Sequence, residues 1–322
     1  MTRPENVVIA IDTALEPHQL KLFSRIDFIK ESHVTLVHLV QDIDYGDGVS
    51  FNIAFPNDED KSKLSSAVIT KLKQISLDIL PTDFQGHVDY KCLFAEDIKD
   101  GFCKYLSSVK ADLAIVASFH QHHVINISFG DYISAKAPCG VIVIKTRSPK
   151  VRKVVVGVKL DEKKDLTEAL FQYDFLTTAD ITLLHVAHVG EFSIFSELNM
   201  TPYSLNEEKL VVEQEVLKGL DLLKERLKQR GFRGEIATVC EFSHHPKKHF
   251  LSFIEKKELE LALVIRGKRK NIRGSFTQYL LHHSHVSTMV LKPEDANLNT
   301  QNFQPTNLNG HSLRGGRISR LP

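Results

Sequence analysis

The sequence has no apolar run approaching the length of a bilayer span. No transmembrane anchor is therefore expected. It has almost no net charge. The 41 Lys and Arg residues against 40 Asp and Glu leave +1, so bulk electrostatics favours neither nucleic acid nor an acidic membrane surface. Its four cysteines, Cys92, Cys103, Cys139 and Cys240, form no C-x-x-C pair, and they read as reduced structural thiols. Met1-Thr2-Arg3-Pro4-Glu5-Asn6 leads straight into a strand without a secretory apolar region, so a cytoplasmic location is expected. No G-x-x-x-x-G-K-[ST] loop occurs. No nucleophile–base–acid set can be assembled either, and no catalytic residue is assigned.

What the chain does have is a long internal repeat. Ile127-Ser128-Phe129-Gly130-Asp131-Tyr132 followed by Val141-Ile142-Val143-Ile144-Lys145 returns as Gly274-Ser275-Phe276-Thr277-Gln278-Tyr279 and Thr288-Met289-Val290-Leu291-Lys292, at a constant offset of 147. Thr35-Leu36-Val37-His38 returns at the same offset as Thr182-Leu183-Leu184-His185. The helical stripe Leu64, Val68, Leu72, Ile75, Ile79 returns at offset 148 as Val212, Val216, Leu220, Leu223, Leu227. A repeat of this length is a duplicated domain, and 322 residues suffice for two cores.

Within the first copy, apolar runs at Val7–Ile11, Val34–Val40, Val88–Phe94, Leu113–Val116 and Val141–Lys145 read as strands buried on both faces. Amphipathic helices are expected between them: Thr13 to about Lys30 behind a Thr13–Glu16 capping box, Lys61–Leu80, Ile98–Val109, and a short one from Ser128. A polar loop, Gln41–Asp60, is long enough for a lid or crossover. The second copy repeats the order, with Ser204–Glu207 as the capping box of its long helix. Alternating buried strands and amphipathic helices give a parallel, doubly wound α/β sheet in each copy. The boundaries are 1–146 and 151–292, joined by a short charged linker at 147–150. An Asn-, Gln-, Gly- and Ser-rich tail, 293–322, is expected to be disordered. The Arg314-Gly315-Gly316-Arg317 run in that tail is too isolated to argue for nucleic-acid binding.

At this point the chain resembles the universal stress protein family in its tandem form. The resemblance rests on the first strand ending at Asp12, the Thr-Leu-x-His strands, Asp112-Leu113-Ala114-Ile115-Val116, and Ala137-Pro138-Cys139-Gly140-Val141-Ile142-Val143. It implies two five-stranded parallel sheets of order 3-2-1-4-5, of the adenine nucleotide alpha hydrolase-like type. It also implies that the fifth strands are edge strands that pair to make a pseudo-dimer within one chain. Nucleotide-binding members carry Gly-x-x-Gly and then Gly-Ser or Gly-Thr after the fourth strand, where backbone N–H groups and a helix N-terminus hold phosphate. The aspartate ending the first strand serves the adenine side.

Both copies depart from that pattern. The glycine positions of copy one carry Ala117, His120 and Ile127, followed by Ser128. Copy two keeps Gly274-Ser275 but has Ile265 at the first glycine and Lys159 where copy one has Asp12. The loop is also shortened in both. The candidate binding residues are therefore Asp12 and Ser128 in one half, and Gly267, Lys268, Arg273, Gly274 and Ser275 in the other. Ser128 and Ser275 read equally well as helix N-caps. Arg266, Lys268, Arg269, Lys270 and Arg273 could form an anion site or a solvated basic loop. The 16 histidines cluster at His120–His123, His244–His249 and His282–His285. His245 and His249 have chelating i, i+4 spacing, but nothing nearby completes a set, so no metal is assigned. The expectation is a regulatory or protein-binding stress-response module with degenerate nucleotide sites, no required cofactor and ATP disfavoured. The alternative is an ATP-binding sensor with one non-standard site and at most slow hydrolysis. The protein partner stays unspecified and homo-oligomerisation open.

Overall fold

Alternating apolar side chains in the strands supply two buried layers, one on each face of a single sheet. The computed structural model describes residues 4–23, 26–42, 58–117, 129–145, 151–159, 163–189, 202–266 and 275–292. In copy one the elements are β1 (Asn6–Ala10), α1 (Pro17–Leu20), β2 (His33–Gln41), α2 (Asp58–Ile79), β3 (His87–Ala95), α3 (Ile98–Ser108), β4 (Leu113–Ala117), α4 (Phe129–Lys136) and β5 (Gly140–Ile144). In copy two they are β6 (Lys153–Gly157), α5 (Lys163–Phe171), α6 (Asp174–Thr177), β7 (Asp180–His188), α7 (Pro202–Gln229), β8 (Ile236–Ser243), α8 (Pro246–Lys256), β9 (Leu261–Ile265), α9 (Phe276–His283) and β10 (Ser287–Leu291).

The ten strands form one sheet of order β3-β2-β1-β4-β5-β10-β9-β6-β7-β8. Each half thus has the order 3-2-1-4-5, and all pairings within a half are parallel. The halves meet at β5 and β10, which pair antiparallel with Met289 opposite Ile142. Both strands are buried along their whole length. An apolar edge that would invite aggregation is thereby covered by its own duplicate. Val7 and Ile9 face the layer of α1, α2, α5 and α7, while Val8 faces the layer of α3, α4, α8 and α9.

The duplication extends to side-chain contacts. Asp112 accepts hydrogen bonds from the Glu5 and Asn6 N–H groups, and Glu260 does the same for Arg152 and Lys153. Lys99 lies over the Tyr132 ring at 5.9 Å, and Lys247 over Tyr279 at 5.8 Å.

Two expected helices differ. The helix from Thr13 to Lys30 is instead the four-residue α1 and a separate 3-10 turn, Asp27–Ile29. The buried residues there are Leu20, Phe23, Ile26 and Ile29, spaced by three. A continuous α-helix rotates about 300° over three residues, so it could not keep all four on one face. The cap also shifts. Gln19 Oε1 accepts the Glu16 N–H at 2.8 Å, and Pro17 is the first helical residue. Thr13–Glu16 is therefore not a capping box. The long helix of copy two starts at Pro202, upstream of Ser204, so Ser204 lies inside its first turn and not at the capping position. The linker at 147–150, the tail at 293–322 and most of the Gln41–Asp60 loop lie outside the described residues.

Candidate functional site

In a doubly wound sheet the crevice opens beyond the carboxyl ends of the strands where the order reverses, here beside β1 and β4, and again beside β6 and β9. In copy one the chain leaving β1 is pinned from β2. Ile11 donates its N–H to Val37 O at 2.8 Å, and His38 Nδ1 lies 3.0 Å from Ile11 O. Copy two repeats both contacts: Val158 donates its N–H to Leu184 O at 3.0 Å, and His185 Nδ1 lies 2.9 Å from Val158 O. A carbonyl only accepts, so His185 donates from Nδ1, while His38 Nδ1 stands between Ile11 O and the Thr13 N–H, the latter at 3.4 Å. The histidine of the Thr-Leu-x-His repeat therefore locks the turn that presents Asp12 or Lys159. The repeat was visible in the sequence; its role was not.

Asp12 is exposed, and its Oδ1 accepts the Ala14 N–H at 2.9 Å. Lys159 is exposed at the corresponding place. Ala117 ends β4 and Ile265 ends β9, and both half-buried side chains pack against the apolar layer. A family glycine would leave open backbone at these two strand ends.

Ser275 is the N-cap of α9, its Oγ accepting the Gln278 N–H at 3.0 Å. The next residue, Phe276, meets Phe250 edge-on with ring centroids 4.9 Å apart. These rings crowd Gly157, the last residue of β6, where an added Cβ would lie 3.0 Å from Phe276. The α9 N-terminus thus stands beside the end of β6. Asp12 and Ser275 consequently belong to different crevices, one per half, and are not brought together. Ser128, Gly267, Lys268, Arg273 and Gly274 lie outside the described residues, as do Arg269, Lys270 and His120–His123.

Arg266, one of the five cations of the expected anion site, is engaged at the junction of the halves. Its guanidinium donates to Ala135 O and Ala137 O at 3.0 and 2.9 Å, at the C-terminal end of α4 in the other half. It satisfies helix-end carbonyls and complements the dipole there. Of the histidine pair, His245 is the N-cap residue of α8 without a side-chain capping bond, and His249 Nε2 is 3.4 Å from Glu241.

Sequence reasoning missed a polar cluster at the junction of the halves. Lys145 is 2 % exposed, and its ammonium donates to Leu281 O. Burial pulls its pKa down to about 8, partly opposed by Asp131. His282 of α9 contacts the buried Asp131 carboxylate of α4 at 2.8 Å. A lysine directly after an apolar strand was the available signal.

Residues 150–292 match the model of the Universal stress protein family. The match covers the second half of the chain. The first half repeats its fold strand for strand. A universal stress protein from Archaeoglobus fulgidus DSM 4304 superposes with a TM-score of 0.60 at 14 % identity, covering 90 % of this chain and 97 % of its own. A protein of Pseudomonas aeruginosa UCBPP-PA14 ascribed to the universal stress proteins gives 0.56 at 15 % identity, covering 91 % and 94 %. No curated protein sequence matches the chain. At these identities the structural likeness speaks for fold, and it extends the universal stress protein architecture over both halves. Among the described residues no helix is long and apolar enough to cross a membrane.

Proposed function

We propose that this chain is a tandem universal stress protein acting as a regulatory, protein-binding module, with degenerate nucleotide sites and no catalytic role. The observation that carries this reading is the pair of strand ends, Ala117 and Ile265. Their side chains fill positions where phosphate binding calls for open backbone. Lys159 in place of an acidic residue removes the adenine-side acceptor from copy two. Asp12 keeps it in copy one, but there the loop also has His120 and Ile127 at glycine positions. Neither half retains a full set. A cytoplasmic location accords with this reading.

The second reading, an ATP-binding sensor, draws on the Ser275-capped α9 beside the end of β6, preceded in sequence by Gly274. Mass spectrometry of natively purified protein separates the two. The module reading expects no stoichiometric nucleotide. An adenine nucleotide retained at one per chain would favour the sensor.

A further inference from the structure

His33, His87 and Asp89 are remote in sequence, and the β2–β3 pairing brings them together. His33 is in register with His87, the first residues of their strands. Asp89 lies two residues beyond His87, so all three share one face of the sheet. Both imidazoles turn the same nitrogen inward. His33 Nε2 is 2.9 Å from Asp89 Oδ2, and His87 Nε2 is 3.4 Å from Asp89 Oδ1. One donor atom from each residue lies within 4.8 Å of the other two. The two rings meet edge-on at 5.1 Å.

We propose that this cluster is a binding site for a zinc-class divalent cation. Metal–nitrogen distances of about 2.0–2.1 Å and metal–oxygen distances of about 2.0–2.2 Å at tetrahedral angles place donors roughly 3.3–3.5 Å apart. His87 Nε2, 3.4 Å from Asp89 Oδ1, already has that spacing, and His33 Nε2, 2.9 Å from Oδ2, lies inside it at hydrogen-bond distance. The remaining adjustment falls to the Asp89 carboxylate, which is 47 % exposed and can turn to present one oxygen to both imidazoles. Two imidazoles and a carboxylate suit zinc, cobalt or nickel over magnesium or calcium. Three protein donors leave a fourth position for water or a further ligand. Thr35, in register with Asp89, is buried on the same face.

The duplicated half provides an internal contrast. Asp180 and Glu235 stand where copy one has His33 and the start of β3, and Ala237 stands where it has Asp89. There the Asp180 carboxylate accepts the Glu235 N–H at 3.0 Å. The same backbone in copy two thus lacks the donor set, and binding should be confined to copy one.

The test is calorimetric titration of Zn²⁺ into the full-length protein, repeated with His87→Ala, with Asp89→Asn, and with His245→Ala/His249→Ala. The His87 and Asp89 side chains are 73 % and 47 % exposed, and a retained circular dichroism spectrum confirms folding of each variant. Asp89→Asn keeps the shape if His87→Ala should disturb the strand. The expected result is one site weakened about tenfold or more by either of the first two changes and unaffected by the third. Co²⁺ should show the visible bands of a low-coordinate site, lost in Asp89→Asn. Unchanged zinc affinity in both His87→Ala and Asp89→Asn, or loss confined to the His245/His249 variant, would overturn the proposal.

Discussion

The phenol oxygen of Tyr173 lies 3.1 Å from the backbone nitrogen of Gly140, accepting its hydrogen bond, and donates in turn to Asp112 O at 2.8 Å. One side chain of copy two therefore ties together the starts of β4 and β5 in copy one. Beside it, Phe28 of the first half stacks on Phe175 of the second with centroids 4.0 Å apart. A Cβ added at Gly140 would lie 2.2 Å from the Tyr173 oxygen, so the strand start and the phenol fit only because residue 140 is glycine.

Tyr173→Phe should cost about 1–3 kcal/mol, because it leaves the Gly140 N–H buried without its acceptor. Gly140→Ala should be at least as damaging, since the phenol must move. Urea denaturation followed by circular dichroism reads both. A Tyr173→Phe variant as stable as the wild type would mean that the contact does not clamp the halves.

Removing the Arg266 guanidinium should loosen the same junction. Arg266→Ala exposes two helix-end carbonyls of α4 and should cost about 1.5–3 kcal/mol. Its effect should appear in hydrogen exchange as faster opening of α4, in the half that does not carry the mutation. Faster exchange restricted to β9 would show that the residue acts only within its own half.

Lys145 makes stability depend on pH. Its ordinary pKa is 10.5, and burial lowers it to about 8 in the folded chain. Below pH 8 folded and unfolded chains both hold the proton, and the buried cation costs its full amount. Between 8 and 10.5 the unfolded chain binds more protons, so this residue's contribution to stability rises with pH, by roughly 3 kcal/mol in all. Above about pH 9, Cys139 and Tyr173, whose pKa values burial raises, act in the opposite sense. The difference between wild type and Lys145→Met isolates the lysine. That difference should climb in favour of the wild type from pH 7.5 to 10.5. A flat difference would place the ammonium in contact with water.

The fold was legible because a parallel strand buried on both faces reads as an unbroken apolar run, and duplication printed every run twice. The segment around α1 was not legible, because Leu20, Phe23, Ile26 and Ile29 pack at a spacing that a helical stripe mimics over two turns but not over three. Contacts between the halves were hidden for another reason. Tyr173 has Ile26 as its repeat counterpart, so the clamp leaves no mark in the repeat. Arg266 looked like part of a basic loop, since charge composition does not say whether a guanidinium faces an anion or a helix end. Asp12 and Lys159 were placed by the strand pattern alone. His33, His87 and Asp89 needed the register of β2 on β3, which the sequence does not print.

The central claim is that neither half is a working nucleotide site of the family's usual kind, and calorimetric titration of ATP with Mg²⁺ tests it most directly. The strand ends at Ala117 and Ile265 lack open backbone, and Lys159 replaces the acidic group in the only half that keeps Gly274-Ser275. Binding should be no tighter than the order of 0.1 mM, about 5.5 kcal/mol. Lys268→Ala with Arg273→Ala should abolish whatever is seen, and Asp12→Ala should change little. Micromolar affinity that depends on Asp12 would contradict the account and make copy one a functioning nucleotide site.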